Sequence, residues 1–174
     1  MKRILLIMAA LLLIFSNTCL AEAWQLIVYT KNIDKVYVDF DSIKYEPADA
    51  KGIRVLTYCR KTVLEEKGKD NLLAELPFEK REEFQNINSI IQIYGVCWND
   101  DQEMLSAVYE NTYIDLDNNV IKTEKVDPVW EKLAPYSRQY GINTYPLSYA
   151  YKNFQKVLAR STCGDHNKTS KNDN

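Results

Sequence analysis

The sequence predicts an α+β fold, an antiparallel β-sheet of about six strands with one C-terminal amphipathic helix packed across a face. Three observations predict it. Residues Asn88 to Asp117 hold two strand-like runs, SIIQIYGVCW and QEMLSAVYENTYID, joined by the turn formers Asn99-Asp100-Asp101. Shorter runs rich in β-branched and aromatic residues flank this ribbon on both sides. After Pro146 the apolar spacing changes from two to three and four, the period of a helix.

The chain begins with an export signal. Met1-Lys2-Arg3 is basic, Ile4–Phe15 is an apolar run, and Ala21-Glu22-Ala23 offers a small-x-small cleavage site. Cleavage is expected after Ala23 or after Ala21. The apolar run is too short to span a bilayer comfortably. No later segment is apolar enough to stop transfer, so the mature chain is expected to have no transmembrane segment. Ser16-Asn17-Thr18 before Cys19 is a poor lipidation signal.

Trp24–Thr30 is the first expected strand, and Val36–Phe40 returns beside it after a turn at Lys31–Asp34. Asp41-Ser42-Ile43 follows, then Glu46-Pro47-Ala48-Asp49 as a breaker. Gly52–Val63 is the third strand. Its alternation sets Ile53, Val55, Thr57 and Cys59 against Arg54, Leu56, Tyr58 and Arg60. Leu64–Gln85 is charged and broken at Pro77-Phe78, an excursion with room for short helices at Asn71–Leu76 and Glu79–Phe84. In the first run of the ribbon Ile90, Gln92, Tyr94, Val96 and Trp98 share one face. Ile91, Ile93, Gly95 and Cys97 share the other. Asp117-Asn118-Asn119 turns into a last strand, Val120–Lys125.

The C-terminal helix is expected to start at Pro146 and end at Gly164. Leu147, Ala150, Tyr151, Phe154, Val157 and Leu158 would form its apolar stripe. Residues 165–174 contain nothing apolar and are expected to be a disordered tail. The domain organisation is thus a signal peptide over 1–23, one domain over 24–163 and a tail over 164–174.

The 174 residues are 46% hydrophobic and 26% charged, ordinary for one globular domain. Without residues 1–23 the balance is 20 basic to 23 acidic, which argues against a nucleic-acid partner. Three cysteines remain after export: Cys59, Cys97 and Cys163. In an oxidising compartment an odd count leaves one thiol over. If the helix lies on the face of Ile91 and Ile93, Cys97–Cys163 would staple it there, with Cys59 unpaired. Cys59–Cys163 is the competing pair.

No catalytic, cofactor-binding or metal-binding residue emerges. The one histidine, His166, lies in the tail, so serine and cysteine nucleophiles lack a base within the fold. Asp39 and Asp41 read as a solvated turn. Asp115, Asp117 and Asn119 have the opening spacing of a calcium loop. However, Val120 stands where the loop needs glycine and Val126 where it needs an acid, so a hairpin turn is expected.

Several pieces occur in an order that resembles the surface-adhesin protein E family of bacterial exported proteins. They are Trp24, KVYVDFDSIK (Lys35–Lys44), the strand bearing Cys97, YIDLDNNVI (Tyr113–Ile121), VDPVWEKLAPYS (Val126–Ser137) and a final helix ending in Cys163. Tyr136 stands where that family usually has glycine, and Leu64–Gln85 is longer than its norm. The resemblance implies an antiparallel sheet with a C-terminal helix tied across it by a disulfide. It also implies a non-enzymatic binding module that is periplasmic, on the cell surface or secreted. Its partners would be proteins, host matrix or serum proteins among them, and a homodimer is compatible with it. The alternative is an envelope enzyme, an inhibitor or a structural protein.

Overall fold

Among the described residues seven strands form one antiparallel sheet. In chain order they are β1 (Trp24–Thr30), β2 (Ile33–Tyr45), β3 (Leu56–Val63), β4 (Ile87–Trp98), β5 (Met104–Asp115), β6 (Val120–Lys125) and the short β7 (Glu131–Lys132). The strands β1 to β6 lie side by side in sequence order, and β7 pairs with β5 beyond the end of β6. Among the described residues four helices accompany it: α1 (Glu66–Glu75), α2 (Phe78–Arg81), α3 (Arg138–Lys152) and α4 (Phe154–Cys163). The structure is a computed structural model that describes residues 24–30, 33–46, 54–99 and 101–163. The expected signal peptide, the breaker at Pro47–Asp49, the helix end at Gly164 and the tail lie outside the described residues. Among the described residues no helix is long and apolar enough to cross a membrane.

The second strand is longer than expected because it absorbs Asp41-Ser42-Ile43 as an irregularity. The register to β3 shifts between Asp39 and Lys44. The Asp39 carboxylate accepts from the backbone N–H of Asp41 (2.8 Å) and of Ser42 (3.3 Å). Local capping of this kind lets the chain kink without leaving the sheet. At the β5–β6 hairpin, Asp115 Oδ1 accepts from Asp117 N (2.9 Å) and Asn119 N (2.7 Å). Asn118 takes the left-handed conformation there, φ 64°.

The helices α1, α3 and α4 pack on one face of the sheet. Ala150 of α3 and Val157 of α4 join Val38, Phe40, Tyr58, Tyr94 and Val96 in the main core. Ile90 and Tyr113 of the same face pack with Leu64, Leu72, Leu73, Leu76 and Phe84 of the excursion in a second cluster. The helices therefore lie on the Tyr94/Val96 face, not on the face of Ile91 and Ile93. The two faces of β4 are equally apolar in sequence, and tyrosine at 94 hides the distinction.

The C-terminal helix also departs from expectation. It starts at Arg138, eight residues before Pro146, because Ser137 caps it by accepting from Tyr140 N at 3.1 Å. Pro146 sits buried inside α3. The helix breaks at Asn153, where φ is −119° and ψ 32°, and α4 begins at Phe154. The single stripe read across the break therefore fails: Tyr151 is 85% and Phe154 41% exposed. The buried positions of α3 are Ile142, Asn143, Pro146 and Ala150. Tyr136, just before the cap, has φ 64°, the left-handed geometry that glycine adopts without strain.

A candidate binding face and a buried arginine cluster

Alternation along the strands places Trp24, Tyr37, Asp39, Cys59, Lys61, Ile91 and Ile93 on the face turned away from the helices, in direct register across β1 to β4. No described helix covers them. Tyr109 lies over Gly95 on this face, where a Cβ would come within 2.5 Å of its ring. Trp130 meets the Tyr109 ring edge-on, with centroids 6.3 Å apart. The Tyr109–Trp130 pair thus depends on a glycine in a strand interior, where glycine otherwise weakens a sheet.

This face carries a cavity of about 510 Å³, bordered by Ser42, Lys44, Glu46, Thr57, Cys59 and Tyr109. Lys44 and Glu46 pair across its rim at 3.3 Å, and Thr57 donates to Glu46 at 3.0 Å. Cys59 is a half-buried free thiol. Burial raises its pKa, so it is held in the inert protonated form. A shallower hollow nearby is lined by Trp24, Tyr37, Lys61 and Val63. Flat aromatic surface beside flexible charged side chains suits contact with another protein.

The helix-covered face holds a different feature. Arg60 of β3 is 8% exposed, and its guanidinium lies 3.8 Å from the centre of the Tyr94 ring. It donates to Gln139 Oε1 of α3 (2.9 Å), to Gln92 Oε1 of β4 (2.9 Å) and to the Tyr94 hydroxyl. Gln92 passes a hydrogen bond on to Asn111 of β5 at 2.9 Å. Behind Tyr94, Tyr58 stacks at 5.8 Å and donates to the buried Asn143 of α3 at 2.6 Å. Burial lowers the Arg60 pKa, and the neighbouring Arg138 lowers it further. Sequence alternation puts Arg60 and Gln92 at positions where the face is otherwise apolar, and that mismatch was the available signal for this cluster.

The acidic motifs resolve into structure. Asp39 and Asp115 spend their carboxylates on backbone N–H groups. Asp41 pairs with Arg160 of α4, which also donates to Phe40 O at 2.9 Å, so this site anchors α4 to β2. Of the two cysteines read as a staple, Cys97 is buried at the end of β4. It borders a cavity of about 450 Å³ with Tyr45 of β2 and with Leu147 and Tyr151 of α3. Cys163 ends α4, and its side chain lies outside the described residues. Comparison of the chain with protein-family models, with curated proteins and with solved structures returns no match.

Proposed function

We propose that this protein is an exported, non-enzymatic binding module of a bacterial cell envelope, and that it holds protein partners on the open face of its sheet. One observation carries the reading: the helices occupy one sheet face, and Trp24, Tyr37, Ile91 and Ile93 remain on the other without a described helix over them. An aromatic and aliphatic sheet face left uncovered marks an interaction surface. The basic start, apolar run and small residues of 1–23 support export. The resemblance to surface-adhesin protein E supports a protein partner of host matrix or serum type.

The test is fractionation of cells carrying a C-terminally tagged chain, followed by mass spectrometry of the mature N-terminus. Pull-down from the fraction that holds the protein then compares wild type with Tyr37→Glu and Ile91→Lys. A start at Trp24 or Glu22, and a partner lost in both variants, are expected. A cytoplasmic, uncleaved protein would overturn the export reading. A partner held equally by both variants would overturn the assignment of the face.

A further inference from the structure

The cavity between α3 and the end of the sheet joins apolar walls to two cations. Its floor follows a row in register, Tyr45 of β2, Leu56 of β3 and Val96 of β4. Leu56 and Val96 are fully buried. Leu147 and Tyr151, one turn apart on α3, make the facing wall. Trp98, two residues beyond Val96, ends β4 at the rim. Trp98 and Tyr151 are both exposed, so the rim of this hollow of about 450 Å³ is aromatic surface left in water.

Arg54 leads into β3 and Lys152 lies in the last turn of α3, so one charge belongs to the sheet wall and one to the helix wall. Neither side chain has an ion pair or a hydrogen bond among the described residues. The described lining contains no aspartate or glutamate. Elsewhere Lys35, Lys44, Lys122, Lys132 and Arg160 each meet a carboxylate. Burial raises the pKa of the Tyr45 hydroxyl, and Arg54 draws it back down. Arg54 therefore stands close enough to Tyr45 for its charge to act on the wall of the hollow. Cations beside low-dielectric walls attract an opposite charge more strongly than they would in open water.

We infer that this cavity binds a small amphipathic anion, an alkyl or aryl carboxylate in chemical class. Its apolar body would lie on Leu56, Val96 and Leu147 within the aromatic rim, and its carboxylate would face Arg54 and Lys152. A guanidinium presents parallel N–H donors that match a carboxylate. A neutral apolar molecule would leave both charges unanswered, and an amine would be repelled by them. A hydrated inorganic anion would leave the apolar walls wet. The volume lies in the range of cavities that hold small ligands.

The experiment is calorimetric titration of the exported, mature protein, purified without reductant, with straight-chain and aromatic carboxylates below their micelle concentrations. Controls are the matching alcohols and amines, and vesicles of anionic phospholipid. At least one carboxylate is expected to bind, with its alcohol and its amine weaker by about tenfold or more. Arg54→Gln and Lys152→Gln change exposed side chains. Each is expected to weaken the same carboxylate about tenfold while leaving the thermal transition within a few degrees of wild type. Ser148→Trp puts a large side chain at an exposed position of the lining, and it is expected to block binding with the fold intact. Failure of every carboxylate to bind at millimolar concentration would overturn the inference. So would an alcohol or an amine that binds as well as its carboxylate, binding unchanged in all three variants, or binding to the vesicles alone. Loss of the protein partner in the Tyr37→Glu chain leaves this test intact, because the cavity lies on the helix-covered face.

Discussion

Replacing Tyr58 by phenylalanine tests how the helix layer is locked to the sheet. The ring is 1% exposed and its hydroxyl donates to Asn143 Oδ1, which is also fully buried. Phenylalanine keeps the ring, its stacking on Tyr94 and the packing volume. The change therefore has no cavity component and leaves one buried acceptor unpaired. Such an orphan costs about 1–3 kcal/mol. The other half of Asn143 stays bonded, its Nδ2 donating to Gln139 O at 2.9 Å, so the helix itself should not unravel. For a domain of this size about 2 kcal/mol corresponds to a fall of roughly 4–8 °C in Tm. Urea unfolding followed by tryptophan fluorescence gives the free energy, and an unchanged m-value shows that the folded state is intact. The same substitution in an Asn143→Ala background should cost close to nothing, because the acceptor is gone. A loss below about 0.5 kcal/mol in wild type, or an equal loss in both backgrounds, would refute the lock.

Tyr136→Gly should raise stability by about 0.5–1 kcal/mol, since the ring is fully exposed and φ is 64°. The relief of left-handed strain slightly exceeds the added freedom of the unfolded chain, and a fall in the urea midpoint would contradict this. Peptide mapping without reduction should recover Cys97 joined to Cys163, and Cys97→Ser should then lower stability by about 2–5 kcal/mol. Recovery of Cys59 with Cys163 would reject that staple. Hydrogen bonds from Lys122 and then Tyr113 lower the Glu124 pKa, so its contribution to stability is present above its ordinary value near 4.5 and lost as pH falls below it. Glu124→Gln should flatten the fall of Tm between about pH 5 and pH 3, and an unaltered profile would show the pairs to be too exposed to matter. Burial and Glu124 together raise the Tyr113 pKa to about 12, so this hydroxyl stays a donor throughout that range.

Strands were legible in the sequence where alternation was clean, and the pairs β1–β2, β4–β5 and β5–β6 followed from hairpin turns. The face that receives the helices was not, because β4 is apolar on both sides: Ile91 and Ile93 compete with Ile90 and Val96 for the core. What decides is the complementarity of Tyr58, Tyr94 and Arg60 with polar groups on α3, a tertiary matter that no single strand records. The helix start was hidden by Pro146, a strong local signal for a first turn, although Ser137 carried the cap nine residues earlier. The acidic turns were readable because aspartate and asparagine act on their own backbone. The contacts Tyr58–Asn143 and Arg60–Gln139 were not readable, since they join β3 to α3 over separations of 85 and 79 residues.

The row Arg60, Gln92, Asn111 and Glu124 runs straight across β3, β4, β5 and β6 in register. It separates the apolar cluster under α3 and α4 from the one formed with α1 and Phe84. No residue belongs to both clusters, so the seam divides the apolar layer. Local opening that follows these clusters would divide the strands that cross the seam. The α1–α2 end, whose helices contain no buried residue, can loosen while the other end keeps its packing. Amide hydrogens under α1 are therefore expected to exchange faster than those under α3 and α4.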